Sequence, residues 1–177
     1  QPNATINLLN FDIRMRGVSQ VQLSDSQNVF VVPNEQELIL HQNRNFSFSG
    51  RVHAGRLDFY GSNFEFGYDD FKLDLKKIDS LRLAVPTDIL DDKGNPRMAR
   101  VKNALQNLSG NLLIDSLNNK SGLKPGYAYP LFTATSNAYL YYDSPSIKGG
   151  VYNRDKFYFK VDPFVIDSAD YLLAASV

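Results

Sequence analysis

The sequence contains no cysteine and no tryptophan, and its only histidines are His41 and His53. Without cysteine, the chain has no disulfide, no thiolate-bound zinc, no iron–sulfur cluster and no cysteine nucleophile. The 19 basic and 19 acidic side chains give a formal net charge of zero, so no nucleic-acid partner is expected. No apolar run approaches the ~20 residues of a membrane-spanning helix, so membrane insertion is not expected either.

Signatures of enzyme active sites are also absent from the sequence. There is no G-x-S-x-G nucleophile elbow, no phosphate-binding P-loop and no EF-hand spacing. The two histidines lack a paired nucleophile or carboxylate motif, and His53 falls on the polar face of a predicted strand. The aspartate pairs at 69–70 and 91–92 coincide with predicted turns, where aspartate is common. The sequence therefore predicts a protein that is not an enzyme and has no catalytic residue, metal site or cofactor.

The most informative stretch runs from Arg44 to Val85, where apolar and polar residues alternate with the period of a β-strand. The parity of the apolar positions changes several times within it. Because successive side chains point to opposite faces of a strand, each change requires a turn, a bulge or a bend. The stretch therefore predicts a series of short strands, interrupted at Gly55, 61–63, 69–70 and 76–77.

Composition favours β structure in the whole chain. It has 12 Phe and 10 Tyr, and aromatic residues suit half-buried pleated surfaces. At 177 residues the chain fits one domain, residues 1–177. Many short, half-polar strands need a facing layer, which predicts a mainly β fold of antiparallel two-layer sandwich type, jelly-roll-like. The tripeptide Ile-Asp-Ser recurs at unequal spacing and leaves a β-solenoid as the alternative; its copies begin at Ile78, Ile114 and Ile166.

One helix is predicted, over about 96–109. Asn95 is a suitable N-cap, Pro96 occupies the favoured first helical position, and Gly110 can end the helix. Four apolar residues then recur at spacings of three and four, which is typical of an amphipathic helix: Met98, Val101, Leu105 and Leu108.

Tyrosines concentrate in the last third of the chain. A tyrosine ring offers a flat apolar face and a hydroxyl, so tyrosines in a groove can stack on sugar rings or hold an extended polypeptide. Core packing and cross-strand pairing explain most of them. Tyr127, Tyr129 and Tyr142 are the candidate ligand-binding residues, because their loop or off-register positions are harder to assign to a core.

Four segments carry a resemblance to known proteins: Asn118–Gly122, Tyr129-Pro130, Tyr141–Asp143 and Gly150–Phe159. With these segments the chain resembles β-rich parts of very large, uncharacterised envelope or secreted proteins of Bacteroidetes-type bacteria. The resemblance implies a module of a long extracytoplasmic protein. It implies no activity and no site residues.

The sequence thus predicts a non-enzymatic structural or interaction module of a larger extracytoplasmic protein, secreted or in the cell envelope. Its expected partners are neighbouring domains of the same polypeptide or other surface proteins, with glycan as a further candidate. Gln1 and the apolar residues 171–177 fit a segment of a longer chain. Two alternatives stay open: a carbohydrate-binding module that uses exposed tyrosines, and an aspartate-dependent glycan-active enzyme acting through Asp69 or Asp70.

Overall fold

The computed structural model describes residues 3–101, 104–124, 128–143 and 150–167. Within these ranges the secondary structure consists of β-strands and three short 3₁₀ turns, at Asn34–Gln36, Gln42–Arg44 and Leu117–Asn119. The strands of the first half are β1 (Ala4–Ile6), β2 (Ile13–Arg16), β3 (Val21–Ser24), β4 (Val29–Pro33), β5 (Glu37–Leu40), β6 (Phe46–Ala54) and β7 (Leu57–Gly67). The strands of the second half are β8 (Lys72–Leu90), β9 (Pro96–Arg100), β10 (Leu105–Leu113), β11 (Leu131–Ala134), β12 (Ala138–Tyr141), β13 (Tyr158–Val161) and β14 (Val165–Ile166).

The strands form an antiparallel sheet whose main path is β1-β2-β5-β6-β7-β8-β10-β11-β14. The sheet branches twice, because β4 and β5 both pair with β6, and β11 and β12 both pair with β10. The predicted mainly β class is therefore confirmed. The jelly-roll-like sandwich and its solenoid alternative stay predictions. The described ranges hold no helix with the length and hydropathy needed to cross a bilayer.

The predicted helix over 96–109 is wrong. Residues 96–100 form β9, which folds back on β8, and β10 begins at Leu105. Met98 and Val101 are 47% and 40% exposed, whereas Leu108 is buried, so the four apolar residues do not share one buried face. Pairing with β8 supplies backbone hydrogen bonds to both β9 and β10. Tertiary context therefore overrides the local helical spacing of the apolar residues.

The parity changes between residues 44 and 85 are confirmed as structural breaks. Gly55 lies in the turn between β6 and β7, and residues 69–70 lie in the turn between β7 and β8. The other two breaks lie inside long strands: the β7–β8 register shifts next to Gly61, and the β8–β10 register shifts opposite residues 76–77. A Cβ at Gly61 would collide with the backbone carbonyl of Lys77, so only glycine fits there. The strands are consequently longer than predicted, and bulges bend them.

The buried apolar side chains form one cluster, in which the aromatic members are phenylalanines. Phe59 on β7 and Phe132 on β11 have ring centroids 4.7 Å apart, although two strands separate them along the sheet, so the sheet curls around its core. Burial of each ring contributes about 2–3 kcal/mol to the free energy of unfolding. The tyrosines among the described residues, in contrast, are all half-buried or exposed. Phenylalanine therefore fills the core, and tyrosine is left at the surface.

Candidate functional site

The three tyrosines predicted from the sequence to bind a ligand differ in their structural surroundings. Tyr127 lies outside the described residues. Tyr129 is half-buried and precedes Pro130, whose ring packs near Gly55. Tyr142 is half-buried and makes an edge-on contact with Phe157, with ring centroids 5.5 Å apart. Only Tyr142 therefore lies within an aromatic cluster, and the described contacts do not join it to Tyr129.

The cluster belongs to a segment that we call the aromatic hairpin, which comprises β12, β13 and the described residues between them. Tyr141 pairs directly opposite Tyr158 across the two strands. Alternation places Tyr139 on the same face, and the three ring centroids are 5.7 to 6.2 Å apart. Tyr158 remains 50% exposed. These rings therefore form a partly open aromatic face on the outside of the sheet.

A second group of rings follows in the connection between the strands. Tyr152 stacks on Phe157 with centroids 4.7 Å apart and an interplanar angle of 23°. Tyr142 meets the same Phe157 edge-on. Phe157 is nevertheless 48% exposed, so its burial against the two tyrosines is incomplete.

Polar groups surround the first group of rings. The guanidinium of Arg154 lies 4.1 Å from the ring centroid of Tyr141, within the range of a cation–π contact. Its Nε donates to Asp143 Oδ2 at 2.9 Å, and its terminal nitrogen donates to Gln106 Oε1 at 2.8 Å. Asn107 Nδ2 donates to the hydroxyl of Tyr141 at 3.2 Å. The sequence pattern did not indicate Arg154, because residues from three separate segments meet there.

His53 belongs to an ion cluster around Asp58, which is only 5% exposed. Asp58 Oδ1 is 2.9 Å from His53 Nδ1 and 2.8 Å from a terminal nitrogen of Arg51, while Asp58 Oδ2 is 3.3 Å from Arg100. His53 Nε2 lies 3.1 Å from the amide nitrogen of Asn28, and a carboxylate at Nδ1 makes Nε2 the acceptor of that contact. Burial raises the pKa of Asp58, but the hydrogen bonds from His53 and Arg51 outweigh it and hold the pKa below its ordinary value.

His41 makes a different set of contacts, which we call the Asp12–His41–Ser47 chain. His41 Nδ1 lies 2.9 Å from Asp12 Oδ1, and His41 Nε2 lies 2.8 Å from Ser47 Oγ. Asn10 Nδ2 donates to the other oxygen of Asp12 at 2.7 Å. The side chains of His41 and Asp12 are 33% and 27% exposed, so the chain of contacts is open to solvent. Sequence reasoning assigned none of these residues to a site.

Two depressions lie beside this chain of contacts. The larger, of about 440 Å³, includes Ser47 in its wall, and the smaller, of about 200 Å³, includes Asp12. Ile39 on β5 lines both of them. The larger depression is lined by Asn34, Glu35, Glu37, Leu38, Ile39, Ser47, Phe48, Ser49 and Asn63.

The adjacent aspartates occupy turns, as predicted. Asp91 Oδ1 accepts hydrogen bonds from the backbone N–H groups of Lys93 and Asn95, each at 2.9 Å. These backbone hydrogen bonds hold the pKa of Asp91 below its ordinary value. The side chain of Asp69 is 76% exposed and lies 3.8 Å from Arg44. Neither arrangement provides a buried, proton-holding carboxyl group of the kind a glycosidase uses.

The part of the chain that the structure describes contains no group of three or more histidine, aspartate or glutamate side chains placed to hold a metal ion. No protein-family model, no curated protein and no solved structure matches the chain. Its function must therefore be argued from its own residues.

Proposed function

We propose that this chain is a structural or interaction module of a larger extracytoplasmic protein, and that it binds its partner through the aromatic hairpin. The observation that carries the proposal is the exposure of consecutive aromatic residues in β13 and just before it. Phe157, Tyr158 and Phe159 are 48%, 50% and 61% exposed. Aromatic residues of this kind are enriched at protein interfaces and supply a large share of binding energy there.

The contacts of the hairpin support this role because they fix Tyr141, against which the exposed ring of Tyr158 packs, before a partner arrives. Tyr141 is held by Asn107 and covered by Arg154, and Arg154 is itself fixed by Asp143. Rings held in one conformation lose little further entropy on binding. The proposed partner is a polypeptide, namely a neighbouring domain of the same protein or another surface protein.

The proposal is tested by placing a photo-crosslinking amino acid at position 158 in the full parent protein. We expect crosslinks to a defined segment of a neighbouring domain or of another surface protein. Position 60 is the matched control, since Tyr60 is a half-buried tyrosine on β7 under a cation–π contact with Arg82. Equal crosslinking from positions 158 and 60, or none from 158, contradicts a binding role for the hairpin.

Carbohydrate binding is the second candidate, and the polar groups around Tyr141 favour it. Arg154, Asp143, Gln106 and Asn107 provide planar amide, guanidinium and carboxylate groups beside an aromatic face. Sugar-binding sites combine ring stacking with planar hydrogen-bonding groups of this kind.

A glycan array separates the two candidates. If the hairpin binds sugars, the unmodified chain binds a defined set of glycans and both Tyr158→Ala and Arg154→Ala lose that binding. Tyr60→Ala serves as the control and is expected to keep it. A blank array removes the carbohydrate candidate and leaves the polypeptide partner. The aspartate-dependent enzyme acting through Asp69 or Asp70 stays a prediction without structural support, because the side chain of Asp69 is 76% exposed, whereas a glycosidase needs a buried carboxyl group that holds its proton.

A further inference from the structure

We infer that Ser47 is a nucleophilic serine that attacks carboxylic esters, with His41 as its general base and Asp12 as the residue that positions His41. This inference goes beyond the proposed binding function and concerns other strands of the sheet. Ser47 lies on β6 and His41 directly follows β5, whereas the aromatic hairpin lies at β12 and β13.

The hydrogen-bond geometry fixes the proton arrangement that a general base needs. A carboxylate only accepts hydrogen bonds, so neutral His41 donates from Nδ1 to Asp12 over 2.9 Å. Its Nε2 then carries the lone pair and accepts the hydroxyl proton of Ser47 over 2.8 Å. A nucleophile, a base and an orienting carboxylate within hydrogen-bond reach are the recurring arrangement of serine nucleophiles on unrelated folds.

The loops that hold His41 and Asp12 contain unusual backbone. Phe11, Asn43 and Arg44 have φ values of 61°, 60° and 65°, in the left-handed region that non-glycine residues rarely adopt. Such residues cost on the order of 1–3 kcal/mol each in unfavourable cases and cluster at functional sites. They flank the Asp12–His41–Ser47 chain, and Asn10 also orients Asp12 by a hydrogen bond of 2.7 Å. These turns and the hydrogen bond from Asn10 hold Asp12 beside His41.

An ester substrate needs space beside Ser47 and a hydrogen-bond donor for the oxyanion that forms when the serine attacks. The depression of about 440 Å³ beside Ser47 provides the room. Ser47 pairs with Ile39 on one side and Glu65 on the other, so its backbone belongs to the sheet ladders. Donors from side chains are therefore the candidates, and two residues with side-chain amides, Asn34 and Asn63, line the same depression. Side-chain amides serve as oxyanion donors in known acyl-transfer sites.

The chemistry balances with water as the only co-reactant. The Oγ of Ser47 forms a bond to the ester carbonyl carbon while its proton moves to His41 Nε2, and the carbonyl electron pair moves to the oxygen. The tetrahedral intermediate collapses, the bond to the leaving alcohol breaks, and that alcohol takes the proton from His41. Water then attacks the acyl-serine, gives a proton to His41, and releases the carboxylic acid as the proton returns to Ser47 Oγ.

A fluorophosphonate probe tests the inference, because its adduct does not hydrolyse. The Oγ–P bond forms, the P–F bond breaks, fluoride leaves, and the hydroxyl proton passes through His41 to solvent. After digestion, peptide mass spectrometry compares Ser47 with Ser49, which lies on the same strand and lines the same depression. We expect Ser47 to be labelled on the order of 100-fold faster, the contribution of a general base. Equal labelling of the two serines overturns the inference without any variant.

Variants then assign the roles of the other two residues. His41→Ala is expected to slow labelling of Ser47 about 100-fold, and added imidazole is expected to restore part of the rate, which a merely structural residue would not allow. Asp12→Asn should slow labelling at least about tenfold, and Asp12→Glu should recover part of the loss. Labelling that is insensitive to both His41→Ala and Asp12→Asn overturns the inference. Crosslinking from position 158 is expected to be unchanged in Ser47→Ala, so this inference and the proposed binding function fail separately.

Discussion

The two histidines start from the same contact, since each places Nδ1 2.9 Å from an aspartate oxygen. Around His53 the carboxylate of Asp58 is buried and also contacts two arginines, and Asn28 occupies Nε2. Around His41 the carboxylate of Asp12 is more exposed, and a serine hydroxyl occupies Nε2. The carboxylate and imidazole alone therefore do not define a site. What differs between the two histidine–aspartate pairs is the partner of Nε2 and the number of arginines around the carboxylate. We infer that these differences give the His53–Asp58 pair a structural role and leave the His41–Asp12 pair able to transfer a proton.

The Asp58 cluster connects several strands of the sheet. His53 and Asp58 are direct partners on β6 and β7, Arg51 is two residues earlier on β6, and Arg100 reaches in from β9. One buried carboxylate thus connects three strands. The ring of His53 also stacks on Phe30 of β4 with centroids 4.7 Å apart, which adds a fourth strand.

Replacing each aspartate by asparagine is the strongest test of the contrast. Asp58→Asn should lower the free energy of unfolding by about 2 kcal/mol, because Asp58 is buried and an asparagine there cannot accept all the hydrogen bonds that its carboxylate accepts from His53 and Arg51. Asp12→Asn should lower it by about 1 kcal/mol or less, since Asp12 is partly solvated and its carboxylate contacts one histidine and the exposed Asn10. Urea unfolding of both variants measures the difference. Equal losses of unfolding free energy would show that the buried Asp58 cluster and the partly exposed Asp12–His41–Ser47 chain contribute equally to stability.

Acid dependence provides the second test. The pKa of Asp58 is lower in the folded state than its ordinary value of 3.8, so its contribution to stability is complete above that value. The contribution is lost as the pH falls through the folded-state pKa, where Asp58 takes up a proton beside His53, Arg51 and Arg100. The gap in free energy of unfolding between the unmodified chain and Asp58→Asn should therefore be constant near neutral pH and shrink well below pH 3.8. A gap that persists in acid would show that Asp58 acts through packing, without its charge.

The third test has the smallest expected effect and measures how much an exposed carboxylate contributes to the free energy of unfolding. Glu65 and Lys76 pair across β7 and β8 at 2.8 Å, with side chains 42% and 61% exposed. The hydrogen bond from Lys76 lowers the pKa of Glu65, so the pair strengthens stability above the ordinary pKa of Glu65 and loses that contribution in acid. A double-mutant cycle with Glu65→Gln and Lys76→Met should give a coupling of about 0.5 kcal/mol at neutral pH. A coupling as large as the loss in Asp58→Asn would mean that burial is not what distinguishes Asp58.

The sequence contained the signal for the Asp58 cluster, although pattern reasoning did not use it. Gly55 and Arg56 form a two-residue turn, which by register alone sets His53 opposite Asp58. Alternation likewise gave the parity breaks between residues 44 and 85. These features depend on neighbours in the chain, so they can be predicted from local periodicity.

The Asp12–His41–Ser47 chain depends on contacts that local periodicity does not contain. Asp12 and His41 are 29 residues apart, and they meet only because β2 pairs with β5. The prediction of a helix over 96–109 was wrong for the same reason, since it rested on local periodicity alone. The spacing of Met98 and Val101 is compatible with a helix, and the presence of β8 as a pairing partner decides against it.

The long strand β8 also has a mechanical consequence. Its 19 residues, at about 3.4 Å each, reach roughly 60 Å and join the central sheet to the exposed β8–β9 hairpin. A pull on that hairpin along the strand axis loads the ladders with β7 and β10 in shear, so many backbone hydrogen bonds resist together. A pull across the strand would open the same bonds one at a time. β8 is therefore held most firmly along its own axis, and a load applied at the hairpin tip in that direction passes directly into the core.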